Sequence, residues 1–206
     1  MPSPAKQVFF ADYVFNVSED VYEPAEDTFM FAENLVVERG DSVLDVGTGC
    51  GILGIIAAAN AAKVVVVDIS PCAVRCAKEN AKLNRAIDKL LFVQGDLLAP
   101  LRTGERFDLI LFNAPYLPTG SGEDVTWLER AWAGGVTGRQ IIDRFICQSS
   151  DRLTSGGRIL LLQSTLGDVD RTLKSFEEKG LRAQIIATRD LPFFESIVLI
   201  EARQRL

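Results

Sequence analysis

From Glu26 to the end of the chain, short apolar runs alternate with segments whose apolar positions recur every three or four residues. The runs predict strands at 42–46, 63–68, 89–94, 107–112, 157–163, 182–189 and 196–202. The helical period predicts helices at 26–38, 53–61, 71–84, 138–153 and 168–179. Local signals agree. Ser70 is a good N-cap before Pro71 in a first turn, and Gly180 stops the helix that ends at Lys179. Val64-Val65-Val66-Val67 is apolar on both faces, as a buried parallel strand requires. This alternation implies an α/β fold with a doubly wound, mostly parallel seven-stranded sheet. Only residues 190–195 separate the last two strands, too few for a crossover helix, so these should form a C-terminal antiparallel hairpin. The stretch from Val8 to Val21 precedes the sheet and is expected to form a small hairpin or cap.

The 206 residues suit one domain, 1–206, with 1–25 as an N-terminal extension or cap. Hydrophobic residues make up 48% and charged residues 24%, enough apolar material for a core. No apolar run approaches the roughly 18 residues that span a bilayer, so no membrane helix is expected. Met1-Pro2-Ser3-Pro4-Ala5-Lys6 has no apolar stretch of the signal-peptide kind. The absence of histidine removes every mechanism that needs a histidine base. It also leaves a zinc site few ligands, since Cys50, Cys72, Cys76 and Cys147 form no CxxC pair, and no metal is expected. Cys72 and Cys76 lie one helical turn apart and read as small buried side chains; reduced thiols suit the cytoplasm. The net charge is −6, with Lys and Arg dispersed. Tight binding to a phosphate backbone usually needs a basic cluster, so a protein or small-molecule substrate is favoured over nucleic acid.

The 42–46 strand runs into Asp45-Val46-Gly47-Thr48-Gly49-Cys50-Gly51. Gly47, Gly49 and Gly51 let the backbone turn tightly and approach a ligand, and the following helix offers free N–H groups. Gly49, Gly51 and Gly54 also satisfy G-x-G-x-x-G, which alone leaves a nicotinamide dinucleotide in play. Three acids point elsewhere. Asp45 lies just before the glycines, where a carboxylate would take up the ammonium or hydroxyl groups of a methionine-like cofactor and repel a pyrophosphate. Asp68 ends the 63–68 strand, where a carboxylate can accept both ribose hydroxyls. Asp96-Leu97 follows the 89–94 strand, with Asp96 placed to accept from an adenine amino group and Leu97 to cover the ring. Asp68 or Asp96 alone would serve equally as a loop cap; three acids at successive strand ends form the stronger pattern.

The 107–112 strand leads into Asn113-Ala114-Pro115-Tyr116. A neutral amide or aniline nitrogen is a poor nucleophile because its lone pair is delocalised. The Asn113 side-chain oxygen and the Ala114 carbonyl can each accept one N–H, fixing an NH2 group and favouring the rehybridised nitrogen of the transition state. Pro115 stiffens the loop, and the Tyr116 ring can lie over the target group and near a positive charge. The same residues would also suit an Asx-type turn after a strand.

These motifs together resemble class I S-adenosylmethionine-dependent methyltransferases, whose Rossmann-like sheet ends in an antiparallel hairpin. Asn113-Ala114-Pro115-Tyr116 is similar to the (Asn/Asp)-Pro-Pro-(Tyr/Phe/Trp) motif of amino-methyltransferases. Ala114 replaces the first proline, which keeps the carbonyl and loses rigidity. Tyr22-Glu23-Pro24-Ala25-Glu26-Asp27-Thr28 reads locally as a helix start and resembles the Tyr-x-Pro-Ala-Glu-Asp-Thr signature of the short eukaryotic and archaeal HemK-type branch. Trp132-Ala133-Gly134-Gly135-Val136-Thr137-Gly138-Arg139 resembles that family's Gly-Gly-x-x-Gly element, and would also serve as a flexible connection. The resemblance implies N5-methylation of the glutamine in the Gly-Gly-Gln loop of a class I release factor, with S-adenosylmethionine as cofactor. It implies that Thr28, Asp45, Gly47, Asp68, Asp96, Leu97 and Asn113 contact cofactor or substrate. It further implies a small zinc-binding activator protein beside Leu90-Leu91-Phe92-Val93, the edge in that fold's strand order. Residues 117–131 form a long connection, either a lid over the substrate or a surface loop. Other readings are an adenine-N6 methyltransferase acting on nucleic acid, a non-catalytic cofactor-binding module, and an NAD-linked oxidoreductase, for which the sequence offers no catalytic proton donor.

Overall fold

The valine-rich runs form the centre of a sheet. The computed structural model describes residues 6–117, 126–191 and 195–204. In chain order the elements are β1 (Lys6–Phe10), β2 (Tyr13–Val17), α1 (Glu26–Glu33), β3 (Ser42–Val46), α2 (Ile52–Ala57), β4 (Lys63–Asp68), α3 (Pro71–Leu83), β5 (Leu90–Gln94), β6 (Phe107–Asn113), α4 (Trp127–Arg130), α5 (Gln140–Ser149), β7 (Leu153–Ser164), α6 (Val169–Glu178), β8 (Leu181–Asp190) and β9 (Ser196–Gln204). The expected seven-stranded sheet is present in the order β5-β4-β3-β6-β7-β9-β8. Strands β3 to β7 run parallel, and β9 lies antiparallel between β7 and β8. Strand order reverses between β3 and β6, which opens a crevice beyond their carboxyl ends.

Each face of the sheet carries its own core, because side chains alternate along a strand. Leu109 and Leu111 of β6 face the side covered by α1, α2 and α3, with Phe31, Ile55 and Ala81. Ile110 and Phe112 face the side covered by α5 and α6, with Phe145 and Phe176. Cys76 is buried, whereas Cys72 is only half-buried, since it looks outward near the start of α3. No helix among the described residues is long and apolar enough to cross a membrane.

Several boundaries differ from those the sequence predicts, each through a contact made at a distance. Helix α1 ends at Glu33 rather than residue 38. The Asn34 amide closes back onto the Met30 carbonyl (2.8 Å), and the buried Arg158 takes the Val36 carbonyl (2.7 Å) while pairing with Asp41. Helix α2 stops at Ala57, and the Lys89 ammonium collects the carbonyls of Ala58 and Ala61 beyond it. Strand β7 begins at Leu153, four residues early, and runs through Gly156 and Gly157. A Cβ at Gly157 would stand 3.0 Å from the Phe107 carbonyl, so a side chain there would push the strands apart. Helix α4, absent from the predicted elements, starts on a capping box between Thr126 and Glu129. Most of the 117–131 connection, from 118 to 125, lies outside the described residues.

The N-terminal stretch forms the expected hairpin, β1 pairing antiparallel with β2. Its free edge is satisfied by side chains rather than by another strand. Asn84 of the α3 C-cap exchanges two bonds with the backbone of Val14, at 3.1 and 2.8 Å. One helical turn earlier, Asn80 does the same with Asn16, at 2.8 and 2.9 Å. A carboxamide presents the same donor and acceptor pair as a peptide group, and a four-residue helical step nearly matches a two-residue strand step. Replacing Asn84 with Ala removes both Val14 bonds and should lower stability by about 1–3 kcal/mol. Urea unfolding would measure the loss, and amide exchange at Val14 should accelerate more than at the central strands.

Candidate active site

The parallel strands end level with one another, and a cavity of about 610 Å³ opens at those ends. The turn after β3 contributes Gly47, Thr48, Gly49 and Cys50; β4 contributes Asp68; the turn after β5 contributes Asp96 and Leu97. Strand β6 delivers Asn113, Ala114, Pro115 and Tyr116, and the approach to α1 adds Tyr22, Asp27 and Thr28. Ten of the site residues expected from sequence therefore share one wall: Thr28, Gly47, Gly49, Asp68, Asp96, Leu97, Asn113, Ala114, Pro115 and Tyr116.

Asp45 and Gly51 are not on that wall, and the geometry gives them another task. The Asp45 Oδ2 accepts the Thr48 hydroxyl (2.6 Å) and the Gly54 N–H (3.0 Å), tying the glycine turn to the start of α2. Its carboxylate is thus turned into the loop rather than toward a ligand's ammonium. Burial pushes its pKa up to about 7. Gly51 has φ 90°, and a Cβ there would meet Ala77 of α3 at 3.0 Å. A Cβ at Gly54 would lie 2.7 Å from Val66, so α2 packs against β4 only because this side chain is missing.

Asp68 caps the turn and also borders the cavity. Its oxygens accept the N–H groups of Gly49 and Ser70, each at 2.9 Å, and the same carboxylate lines the cavity with acceptor capacity remaining. Burial raises its pKa. Asp96 forms an ion pair with Arg144 of α5, also on the wall. Leu97 is buried in a left-handed conformation, φ 50°.

Asn113 is held from α1 by its donor end. Its Nδ2 donates to Asp27 Oδ2 (3.1 Å) and Thr28 Oγ1 (3.2 Å), while its Oδ1 is buried and has no partner among the described residues. The Ala114 N–H donates to the Leu162 carbonyl (3.2 Å) and seats the turn against β7. Burial first, then the Asp27 charge, raises the pKa of both the Tyr22 and Tyr116 phenols, which therefore stay neutral. The glycine element is no slack connection. Leu117 donates to the Trp132 carbonyl (3.0 Å) and accepts from the Gly134 N–H (2.8 Å), which pins the chain beyond Tyr116. A Cβ at Gly134 would sit 2.6 Å from the Gly138 carbonyl oxygen. Arg139 is buried behind it, bonded to the Asp168 carbonyl, Thr172 and Asp143. Sequence reasoning gave no site role to Tyr22, Asp27 or Arg144. Asp27 looks like an ordinary first-turn acid, and its partner lies 86 positions away.

A sheet of this order, with a glycine turn and an acid at its switch point and an amide-ended strand beside them, defines a class I methyltransferase. The family model for ribosomal protein L11 methyltransferase (PrmA) matches residues 28–114. A Methanocaldococcus jannaschii chain assigned as a protein N5-glutamine methyltransferase is 42% identical over 87% of this chain and 90% of its own. The human methyltransferase HEMK2 is 34% identical over 82% of this chain and 84% of its own. The solved E. cuniculi Mtq2–Trm112 complex, responsible for methylation of the eRF1 translation termination factor, superposes with a TM-score of 0.70. The match is 27% identical and covers 90% of this chain and 99% of that one. The chain belongs to the HemK-type protein N5-glutamine methyltransferase family.

Asp45 also makes stability depend on pH. It holds its proton more tightly in the folded chain, to about 7, than at its ordinary value of 3.8. Between those values the folded state carries the extra proton, so this contribution to stability declines as pH rises from 3.8 to about 7 and then levels off. Asp45→Asn keeps an acceptor for Thr48 and Gly54 but has no proton to lose. Urea unfolding from pH 5 to pH 8 should show the variant gaining on the wild type by on the order of 1–3 kcal/mol. A gap independent of pH would contradict the assignment.

Proposed function

We propose that this methyltransferase transfers a methyl group from S-adenosylmethionine to the amide nitrogen of the glutamine in the Gly-Gly-Gln loop of a class I peptide chain release factor. The observation that carries the reading is the Asn113 Oδ1, a buried acceptor at the end of β6 with no partner among the described residues. The residues present fit the cofactor. The cavity of about 610 Å³ accommodates an amino-acid nucleoside, Asp68 retains acceptor capacity for ribose hydroxyls, and Asp96 and Leu97 would take the adenine. Gly47, Gly49 and Thr28 would line the methionine end. When bound, the cofactor supplies an electrophilic methyl on a sulfonium.

The chain's own residues prepare the nucleophile. Asn113 Oδ1 and the Ala114 carbonyl would each accept one N–H of the glutamine carboxamide, turning its nitrogen toward the methyl. Pro115 holds the turn, and the neutral Tyr116 ring offers a π face to the target group and to positive charge. No base is required before transfer, because the nitrogen proton becomes strongly acidic once the methyl is attached. The release-factor substrate is supported by the eRF1 methylation attributed to the Mtq2–Trm112 complex, and it implies work in the cytoplasm. That complex also supports a protein partner, which this reading takes to be a small zinc-binding activator. Strand β5 is the open edge on that side, with Leu91 58% exposed, and is where an added strand would pair.

The test mixes the full chain with S-adenosylmethionine and a class I release factor, with and without the activator, and reads the Gly-Gly-Gln peptide by mass spectrometry. One methyl on the glutamine is expected, reduced at least about a hundredfold in Asn113→Ala. No methyl, with cofactor binding intact, would overturn the substrate and direct the search to nucleic-acid amines or to a non-catalytic role.

A further inference from the structure

Asp27 stands at the second position of α1 and is only 5% exposed. Its Oδ1 accepts the Thr28 N–H (2.6 Å), the Thr28 hydroxyl (3.2 Å) and the Tyr22 hydroxyl (3.2 Å). Its Oδ2 is left for the Asn113 amide, at 3.1 Å. A carboxylate can only accept, so it decides which end of the asparagine faces it. The NH2 must point to Asp27, and Oδ1 must point away. Thr28 supports the same choice, because its hydroxyl donates to Asp27 and leaves its lone pairs to accept from Asn113. An asparagine side chain is otherwise nearly symmetric in shape and can turn end for end.

We infer that Asp27 is a positioning residue that locks Asn113 with its NH2 held against α1 and its acceptor turned away from Asp27 and left for the substrate, and that this lock selects a substrate group presenting N–H donors and rejects a carboxylate. The inference deepens the proposed function and rests on Asn113 receiving the substrate nitrogen. A carboxamide or amine offers two N–H groups to Asn113 Oδ1 and the Ala114 carbonyl. A carboxylate in the same place would set its oxygens against that acceptor, with a second negative charge behind it at Asp27. Buried polar groups left facing like groups discriminate more sharply than shape does. Glutamate in place of the glutamine, although nearly isosteric, is therefore excluded.

The experiment uses the full chain, S-adenosylmethionine and the release factor, with its Gly-Gly-Gln loop intact or carrying glutamate. Asp27→Asn is isosteric and offers either an oxygen or an NH2, so the lock is lost. Its kcat should fall about 30- to 100-fold, with the substrate KM and the cofactor Kd within about threefold of wild type. Asn113→Asp alone sets its carboxylate against that of Asp27 and should fall at least as far. In the double variant, the new carboxamide at 27 can donate to the new carboxylate at 113, whose second oxygen is left to accept from the substrate. Its kcat should recover at least about tenfold over Asp27→Asn, a non-additive rescue that loss of folding would not produce. Wild type should leave the glutamate loop unmodified. An Asp27→Asn kcat within threefold of wild type, a double variant no better than the singles, or methylation of the glutamate loop would overturn the inference. If the wild type methylates no glutamine, the proposed substrate fails and the lock is judged by side-chain amide exchange of Asn113 in ¹⁵N-labelled protein. Exchange at least about tenfold faster in Asp27→Asn supports the lock, and unchanged exchange overturns it.

Discussion

One carboxylate oxygen, Asp45 Oδ2, holds the turn on which the active face depends. By accepting from both Thr48 and Gly54 it bends the chain from β3 into α2 within a few residues. The bend is possible only because Gly54 lets α2 lie against Val66 and Gly51 lets α3 close over the turn. Asp68 then fastens the same turn from the neighbouring strand through the Gly49 N–H. The acids at the ends of β3 and β4 thus divide the work. One is committed to the loop, and the other braces the loop while keeping lone pairs for the cavity. The strong burial of Asp45 raises its pKa, which is the expected consequence of spending a carboxylate on structure in an apolar site.

Asparagine carries much of the remaining specificity, in two different ways. Along α3, Asn80 and Asn84 act as substitute peptide groups for the edge of the N-terminal hairpin. Asn80 also donates to the Cys50 carbonyl (2.8 Å), so the hairpin, α3 and the glycine turn are joined through one side chain. At the end of β6, Asn113 keeps its donor end occupied and its acceptor end free. The first arrangement satisfies every group for stability. The second leaves one group unsatisfied, a cost that is reasonable where a substrate completes the bonding.

The pattern of apolar runs was sufficient for the seven strands, their mostly parallel arrangement and the closing antiparallel pair, because burial on both faces demands continuous apolar strands. Motif spacing around strand ends was likewise enough to place ten expected residues on the cavity wall, since a parallel sheet brings its carboxyl ends together whatever the loops do. Helix ends were less legible. Helices α1 and α2 stop where Arg158 and Lys89 capture carbonyls, and neither cation is near them in sequence.

Tertiary structure alone decided which way each polar group faces. Asp45 lies in register with Val66, two residues short of Asp68 on the neighbouring strand, and packing turned one inward and left the other on the wall. Asp27 carries the marks of a helix-start acid; its pairing with Asn113 appears only when α1 is laid across the end of β6. The physical reason is the same in each case. Residue type and local spacing determine which element forms and which chemistry is available, while the direction of a hydrogen bond depends on a partner supplied by a distant part of the chain.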